Sequence, residues 1–281
     1  MVGNKGTDQN EIDELMVIVS DYMDCNSLAF NFSKSELVIV SLRNRKHDLH
    51  LNMGGERIEP SYNARVLGLQ LTSDLKHNLF ISELNQETHG QRSLLSQITM
   101  RVNAVLQLKK FTTNKKLKEL AAGLVYSKLT FGIEFWGNCP KYLLHKLDLE
   151  LKRLMRGVFD LKRLDNVDEQ MKQMDFLFCE DLRTYHDLLT LDRIITNNTP
   201  LSFGQQIIRE FGRYRTRGME IGVLRQTQDT APTYTPRHNF FFARAIRAYN
   251  KVGVFQMSKT DGMDVWKKGL RYAIREKQMR A

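Results

Sequence analysis

Asn31-Phe32-Ser33-Lys34-Ser35-Glu36 and, further along, Val66-Leu67-Gly68-Leu69-Gln70-Leu71-Thr72 decide the fold of this chain. Each joins a polar turn to a short alternating stretch. Leu37 and Ile39 oppose Val38 and Val40 over 36–42, and Leu67, Leu69 and Leu71 share a face over 66–72, which predicts strands. Between them, Asn52-Met53-Gly54-Gly55-Glu56 predicts a turn that folds 48–58 into a hairpin. Ahead of them, Ile12, Leu15, Met16, Val19, Tyr22 and Met23 recur at helical spacing over 9–26, with Asp8 or Thr7 as the cap. After Asp74 the period becomes helical. One stripe is Leu94, Leu95, Ile98, Val102, Val105 and Leu106. Asn114 is expected to cap a second, with Leu117, Leu120, Ala121, Leu124 and Leu129. Pro140 opens a third, with Leu144, Leu147, Leu151, Leu154, Met155 and Val158. A further helix runs through Leu182, Tyr185, Leu188, Leu189 and Ile194. Residues 212–238, with Gly212, Gly218, Gly222, Pro232 and Pro236, predict a mobile basic loop before two last helices at 239–250 and 262–279. The expectation is an α+β fold, mostly α: a small β part over 1–75, a helical region over 76–200 and a basic helical region over 201–281.

Composition sets the bounds. With 281 residues, 42% hydrophobic and 9% aromatic, the chain can bury a core. No apolar run approaches the ~18 residues of a membrane helix, and Met1–Glu11 lacks the apolar centre of a signal peptide. An intracellular protein follows as the expectation, nuclear or cytoplasmic. Cys25, Cys139 and Cys179 are far apart and odd in number, which fits a reducing compartment; the lack of Cys-x-x-Cys leaves no zinc knuckle in this chain. His47 and His50 have no evident third ligand and read as a solvated turn, so no metal site is expected.

Charge is sorted into blocks. Residues 1–87 carry 8 Lys/Arg against 13 Asp/Glu, whereas 88–164 carry 15 against 5. Residues 165–200 carry 3 against 8, and 201–281 carry 16 against 6. Two basic surfaces alternating with acidic ones point to a polyanionic partner. The densest cluster is Lys109, Lys110, Lys115, Lys116 and Lys118, and Lys152, Arg153 and Arg156 line the outer face of the third stripe.

With these residues in place, the chain resembles the C-terminal part of a non-LTR (LINE-type) retrotransposon reverse transcriptase. Val19-Ser20-Asp21-Tyr22 through Asn26-Ser27-Leu28-Ala29-Phe30-Asn31 resembles the helix and turn after the catalytic hairpin. Lys34-Ser35-Glu36 stands where motif D usually reads Lys-Thr-Glu, and Ala64 to Leu71 looks like motif E, the primer grip. Tyr126, Phe131-Gly132 and Phe135-Trp136-Gly137 are similar to a thumb pattern, and Asn239 to Asn250 to a C-terminal element. Tyr249 replaces a usual Trp, Val252-Gly253 stands where Leu-Pro is common, and the family's zinc knuckle is missing.

The resemblance implies a palm edge followed by a thumb. Lys34 inherits the candidate catalytic role of a proton donor to leaving pyrophosphate, although a lysine solvating a turn reads equally well. Val66, Leu67 and Gly68 would place a primer end through the backbone. The two-metal chemistry needs carboxylates on adjacent strands, and in this family they precede the helix at 9–26. Tyr22-Met23-Asp24-Cys25 is no substitute, because it completes a helical stripe and Cys25 is no hard oxygen ligand. The chain alone is therefore expected to lack polymerase activity, with Mg2+ bound only in an intact polymerase. What it is expected to retain is RNA/DNA template–primer binding through the basic helices, and contact with an N-terminal polymerase part. Tyr126, Phe135 and Trp136 could stack on bases, with core packing the stronger expectation. The competing reading is a non-catalytic protein-interaction module or an inert retroelement remnant.

Overall fold

A computed structural model describes residues 9–40, 48–75, 78–82, 92–197, 207–211, 222–226, 241–252 and 263–279. The fold is α+β and mostly α, with small two-stranded ladders. It divides into two compact units, Met1–Phe80 and Ile81–Ala281. The basic C-terminal region, expected as a third part, belongs to the second unit.

The first unit opens with α1 (Gln9–Cys25). Its buried residues are Ile12 and Met16, which pack with Met53 and the partly buried Phe30, Leu49, Leu51 and Ile58. The expected stripe holds only along the first half of the helix. Tyr22 is 63% exposed, and Val17 and Ile18 stand in solvent beside it. The Gln9 amide pairs with the backbone of His50, donating to its carbonyl and accepting from its N–H, both at 3.0 Å. The expected caps Asp8 and Thr7 lie outside the described residues.

Strands β2 (Leu51–Met53) and β3 (Glu56–Ile58) form the expected hairpin, with Met53 opposite Glu56 and Gly54-Gly55 as its two-residue turn. Both glycines have positive φ, as a type I′ turn requires. The Phe32 ring lies over Gly54, where an added Cβ would sit 2.7 Å from Phe32 Cζ. Strand β1 is only Leu37–Val38 and pairs in parallel with β4 (Pro60–Ser61).

The segment 66–72 departs from expectation. It is not one strand with Leu67, Leu69 and Leu71 on a face. β5 (Asn63–Val66) and β6 (Leu69–Thr72) form an antiparallel hairpin, and Leu67-Gly68 is its turn. Val66 faces Leu69 in register, so the loop has two residues, both at positive φ. Alternation of leucines across a turn imitates a strand, and nothing in the spacing marks Leu67 as the corner. Gly68 therefore serves a turn and not a strand bulge.

The second unit begins at Ile81, the last residue of the short α2 (Asn78–Ile81), and is built on α3 (Leu94–Leu108), α7 (Lys141–Val158) and α9 (Cys179–Asn197). Ser93 starts α3, its hydroxyl accepting the Ser96 N–H at 3.2 Å. Leu94, Ile98, Val102 and Val105 face inward against α7, whose six expected core residues are all buried. Gly157 lets the two helices close, since a Cβ there would meet Leu106 Cδ2 at 2.3 Å. Asp148 on α7 accepts the N–H of Cys179 at 2.8 Å, so one helix caps the start of the next. Cys139 and Cys179 are buried, Cys25 is exposed, and all three are free thiols.

Between α3 and α7 the chain forms α4 (Asn114–Leu120), a π-helical turn (Ala121–Tyr126), α5 (Ser127–Thr130) and α6 (Ile133–Trp136). Thr113, not Asn114, is the N-cap of α4. The π-turn changes the phase of the expected stripe. In an α-helix each four-residue step overshoots a full turn by about 40°. The wider π-turn cancels that drift. Leu117, Ala121, Val125 and Leu129 thus stay on one buried face, while Leu124 turns outward. The Ser127 N–H reaches back five residues to the Ala122 carbonyl, and Arg101 donates to the Leu124 carbonyl at 2.8 Å.

After α7 come α8 (Asp168–Gln173) and α9. A hairpin of β7 (Ile207–Phe211) and β8 (Gly222–Gln226) follows, then α10 (Phe241–Val252) and α11 (Met263–Met279). Residues 222–226 of the expected loop are thus strand, and the rest of 212–238 lies outside the described residues. Ala245, Ile246 and Tyr249 of α10 and Trp266, Leu270 and Ile274 of α11 are buried. Both helices pack on α9.

Candidate nucleic-acid interface

The densest basic cluster lies at the corner between α3 and α4, and the structure divides its lysines by role. The Lys109 ammonium donates to the Gly157 carbonyl at 2.6 Å and pairs with the Asp160 carboxylate. It satisfies the carbonyl end of α7, where a cation is favoured by the helix dipole. Lys118 lies over the Phe159 ring at 4.5 Å. These contacts bring the turn after α7 against the α3–α4 corner, although the two are some fifty residues apart in sequence.

Lys110, Lys115 and Lys116 are exposed on the corner, and Lys162 and Arg163 are exposed on the adjoining turn. Two carboxylates share the turn: Asp160 is engaged by Lys109, and Asp165 accepts the Lys162 N–H at 2.8 Å. Phe111 stands among the corner lysines at 84% exposure, and Leu164 follows Arg163 at 93%. Sequence reading did not single out Lys162, Arg163 or Phe111. The first two lay in the basic block but far along the chain. Phe111 was visible as an aromatic inside Lys109-Lys110-Phe111-Thr112-Thr113-Asn114-Lys115-Lys116, off every apolar stripe.

The expected phosphate contacts on α7 are occupied. Lys152 sits over the Phe178 ring at 5.4 Å. Arg153 donates to the Asn103 side-chain oxygen on α3 and lies 3.4 Å from Glu150. Arg156 gives two bonds, 3.2 and 3.1 Å, to the Asp165 carbonyl. These side chains tie α7 to its neighbours. Of the eight expected residues, Lys110, Lys115 and Lys116 are the ones fully turned to solvent.

Two of the aromatic candidates belong to the core. Tyr126 stacks on Phe176 with ring centroids 4.0 Å apart, and its hydroxyl accepts the Leu177 N–H at 2.8 Å. Burial pushes its phenol well above the ordinary range. Trp136 is fully buried and donates to the Phe131 carbonyl at 2.9 Å. Phe135 is half-buried.

In the first unit, Lys34 is exposed at the end of a 3-10 turn, Phe32–Lys34. Glu36, two residues on, accepts the Arg65 N–H at 2.9 Å and fastens this segment to the β5–β6 hairpin. Val66 and Leu67 project from that hairpin, Leu67 at 89% exposure with φ of 51°. Leucine in the left-handed region costs about 1–2 kcal/mol.

A second polar cluster lies inside the other unit. Asp187, with no exposed surface, receives two bonds from Arg244 at 2.5 and 2.7 Å, and Arg244 also donates to the Glu134 carbonyl at 2.9 Å. The Glu134 carboxylate faces His186 Nδ1 at 3.3 Å and accepts from the Thr190 hydroxyl at 3.4 Å. Burial pushes the Glu134 carboxyl up, but the hydrogen bonds from His186, its own backbone and Thr190 outweigh it and leave it below the ordinary value. Burial raises the Cys139 thiol to about 12. The arrangement docks α10 on α6 and α9. Among the described residues no three His, Cys, Asp or Glu side chains gather as a metal ion would need. No helix of the described residues is long and apolar enough to cross a membrane.

Compared with known proteins, the chain matches no family model, no curated protein and no solved structure.

Proposed function

We propose that this chain binds an RNA/DNA template–primer through the α3–α4 corner, as the thumb of a LINE-type reverse transcriptase would. The observation that supports it is the convergence of Lys110, Lys115, Lys116, Lys162 and Arg163 on one edge, with the nearby Asp160 already neutralised by Lys109. Such an edge contacts phosphates, gives affinity without sequence preference and releases counterions. In the first unit, Lys34 and the Val66-Leu67-Gly68 tip are proposed to serve pyrophosphate departure and primer placement only alongside a catalytic palm.

The test is anisotropy of a labelled RNA–DNA primer–template against the full chain from about 50 to 200 mM salt. The comparison is a variant with Lys110, Lys115, Lys116, Lys162 and Arg163 changed to Ala. Lys109 and Lys118 are kept because they hold α7. Each lost phosphate contact is expected to reduce the log–log salt slope by about 0.9. An unchanged slope would remove the corner from the proposal.

The exposed Val17, Ile18 and Tyr22 of α1 favour a second reading, a non-catalytic interaction module. It predicts concentration-dependent association that Ile18→Lys abolishes and salt leaves unchanged. Sedimentation at two salt concentrations distinguishes the two.

A further inference from the structure

We propose that Phe111 is a stacking platform for an unpaired base, so that the α3–α4 corner takes a single-stranded stretch of nucleic acid. This rests on the reading of that corner as a nucleic-acid interface and deepens it. Phe111 lies in the turn between two helices, its N–H donating to the Leu108 carbonyl at 2.9 Å, and its side chain is 84% exposed. It fills no core position: the corner is packed by Val105 and Leu117, both buried. A polar residue would make the same turn, as neighbouring Thr112 and Thr113 illustrate.

An exposed ring beside ammonium groups can offer its face to a nucleic-acid base. Lys110 precedes it and Lys115 and Lys116 follow in the first turn of α4, so a strand whose phosphates reach these ammonium groups brings its bases to the ring. Paired bases inside a duplex present only their edges, whereas an unpaired base presents a face. Stacking is tolerant of sequence because every base has such a face. Tyr126 and Trp136 are buried, and the exposed Phe131 and Tyr142 already carry Lys128 and Lys146 over their rings, so Phe111 is the most exposed ring of the basic block among the described residues. The charge selects a polyanion, and the aromatic selects one with planar apolar groups along its length.

The experiment compares two strands of equal length and phosphate count, an oligothymidylate and its abasic counterpart, with the full chain and its variants Phe111→Ala and Phe111→Trp. Phe111→Ala is expected to weaken oligothymidylate binding about tenfold, to leave the abasic strand unchanged and to keep the salt slope. Phe111→Trp is expected to restore binding, with fluorescence quenched by the base-bearing strand only. Loss of affinity for both strands alike, or for neither, while the full chain binds, would overturn the platform and leave the interface standing. Failure of the full chain to bind either strand while it binds the RNA–DNA primer–template would overturn the platform alone, and failure to bind all three would overturn both. Binding to vesicles containing phosphatidylserine in place of either strand, lost in Phe111→Ala, would assign the corner to an anionic lipid surface and overturn the proposal.

Discussion

At the scale of single residues, the strongest constraint is the ion pair between Asp187 and Arg244, a carboxylate without solvent contact held by two guanidinium bonds. Removing Asp187 takes from the buried Arg244 the carboxylate that balances its charge. Asp187→Ala is therefore expected to destabilise the second unit by about 3–5 kcal/mol, read from urea unfolding. Replacing both, as Asp187→Leu with Arg244→Met, is expected to recover most of that loss. Glu134 supplies a pH signature. Its folded-state pKa lies below its ordinary 4.5, so its contribution is present above that pH and is lost as the pH falls through the folded value. The stability difference between the wild type and Glu134→Gln should be constant near neutrality and shrink below pH 4.5. A difference that persists undiminished to about pH 3 would exclude this role. The sequence displayed Arg244 and Tyr249 as parts of a motif, but not their purpose. Asp187 and Arg244 are partners only through the packing of α10 on α9, which no spacing encodes. The same holds for Lys109: a lysine in a basic run looks like a phosphate ligand until a facing carbonyl claims it.

Among the elements, the β5–β6 hairpin carries the clearest internal conflict. A two-residue type I′ turn calls for Asn or Gly at its first position and finds Leu67. Leu67→Gly is expected to stabilise the first unit by about 1 kcal/mol, and Gly68→Ala to weaken it by a similar amount. Thermal unfolding of the two variants decides, and a destabilising Leu67→Gly would mean that the side chain packs in some other state. The hairpin at 48–58 was legible because Gly54-Gly55 announces its turn, whereas the one at 63–72 was hidden by leucines on both sides of the corner. Long helices were the most legible elements. The six core residues expected on α7 are all buried, because eighteen residues of one period leave little room for another reading. Capping was misassigned by one residue at Thr113, where two adjacent side chains are both good N-caps.

Taken whole, the molecule is unevenly consolidated. The first unit has three buried hydrophobic residues in its cluster, Ile12, Met16 and Met53, against the fully buried faces of α3, α7 and α9 in the second. Amide hydrogen exchange should show the hairpins of the first unit opening at much lower free energy than the centre of α7. Equal protection in both would contradict that ordering. The block pattern of charge was legible at this scale from composition alone, and it drew attention to the stretch 88–164 that holds the α3–α4 corner. Its finer content was not, since the basic edge joins a corner near residue 110 to a turn near 162 through tertiary packing. The π-turn at 121–126 has an effect on chain length itself. Remove Leu124 and the inward positions fall at 117, 121, 124, 125 and 128 in the shortened count, the pattern of an ordinary amphipathic α-helix. Leu124 is thus equivalent to a one-residue insertion accommodated by widening a single turn. A chain of one residue fewer should keep its circular dichroism and the Tyr126–Phe176 stack, whereas deleting Val102 from the continuous α3 should abolish cooperative unfolding.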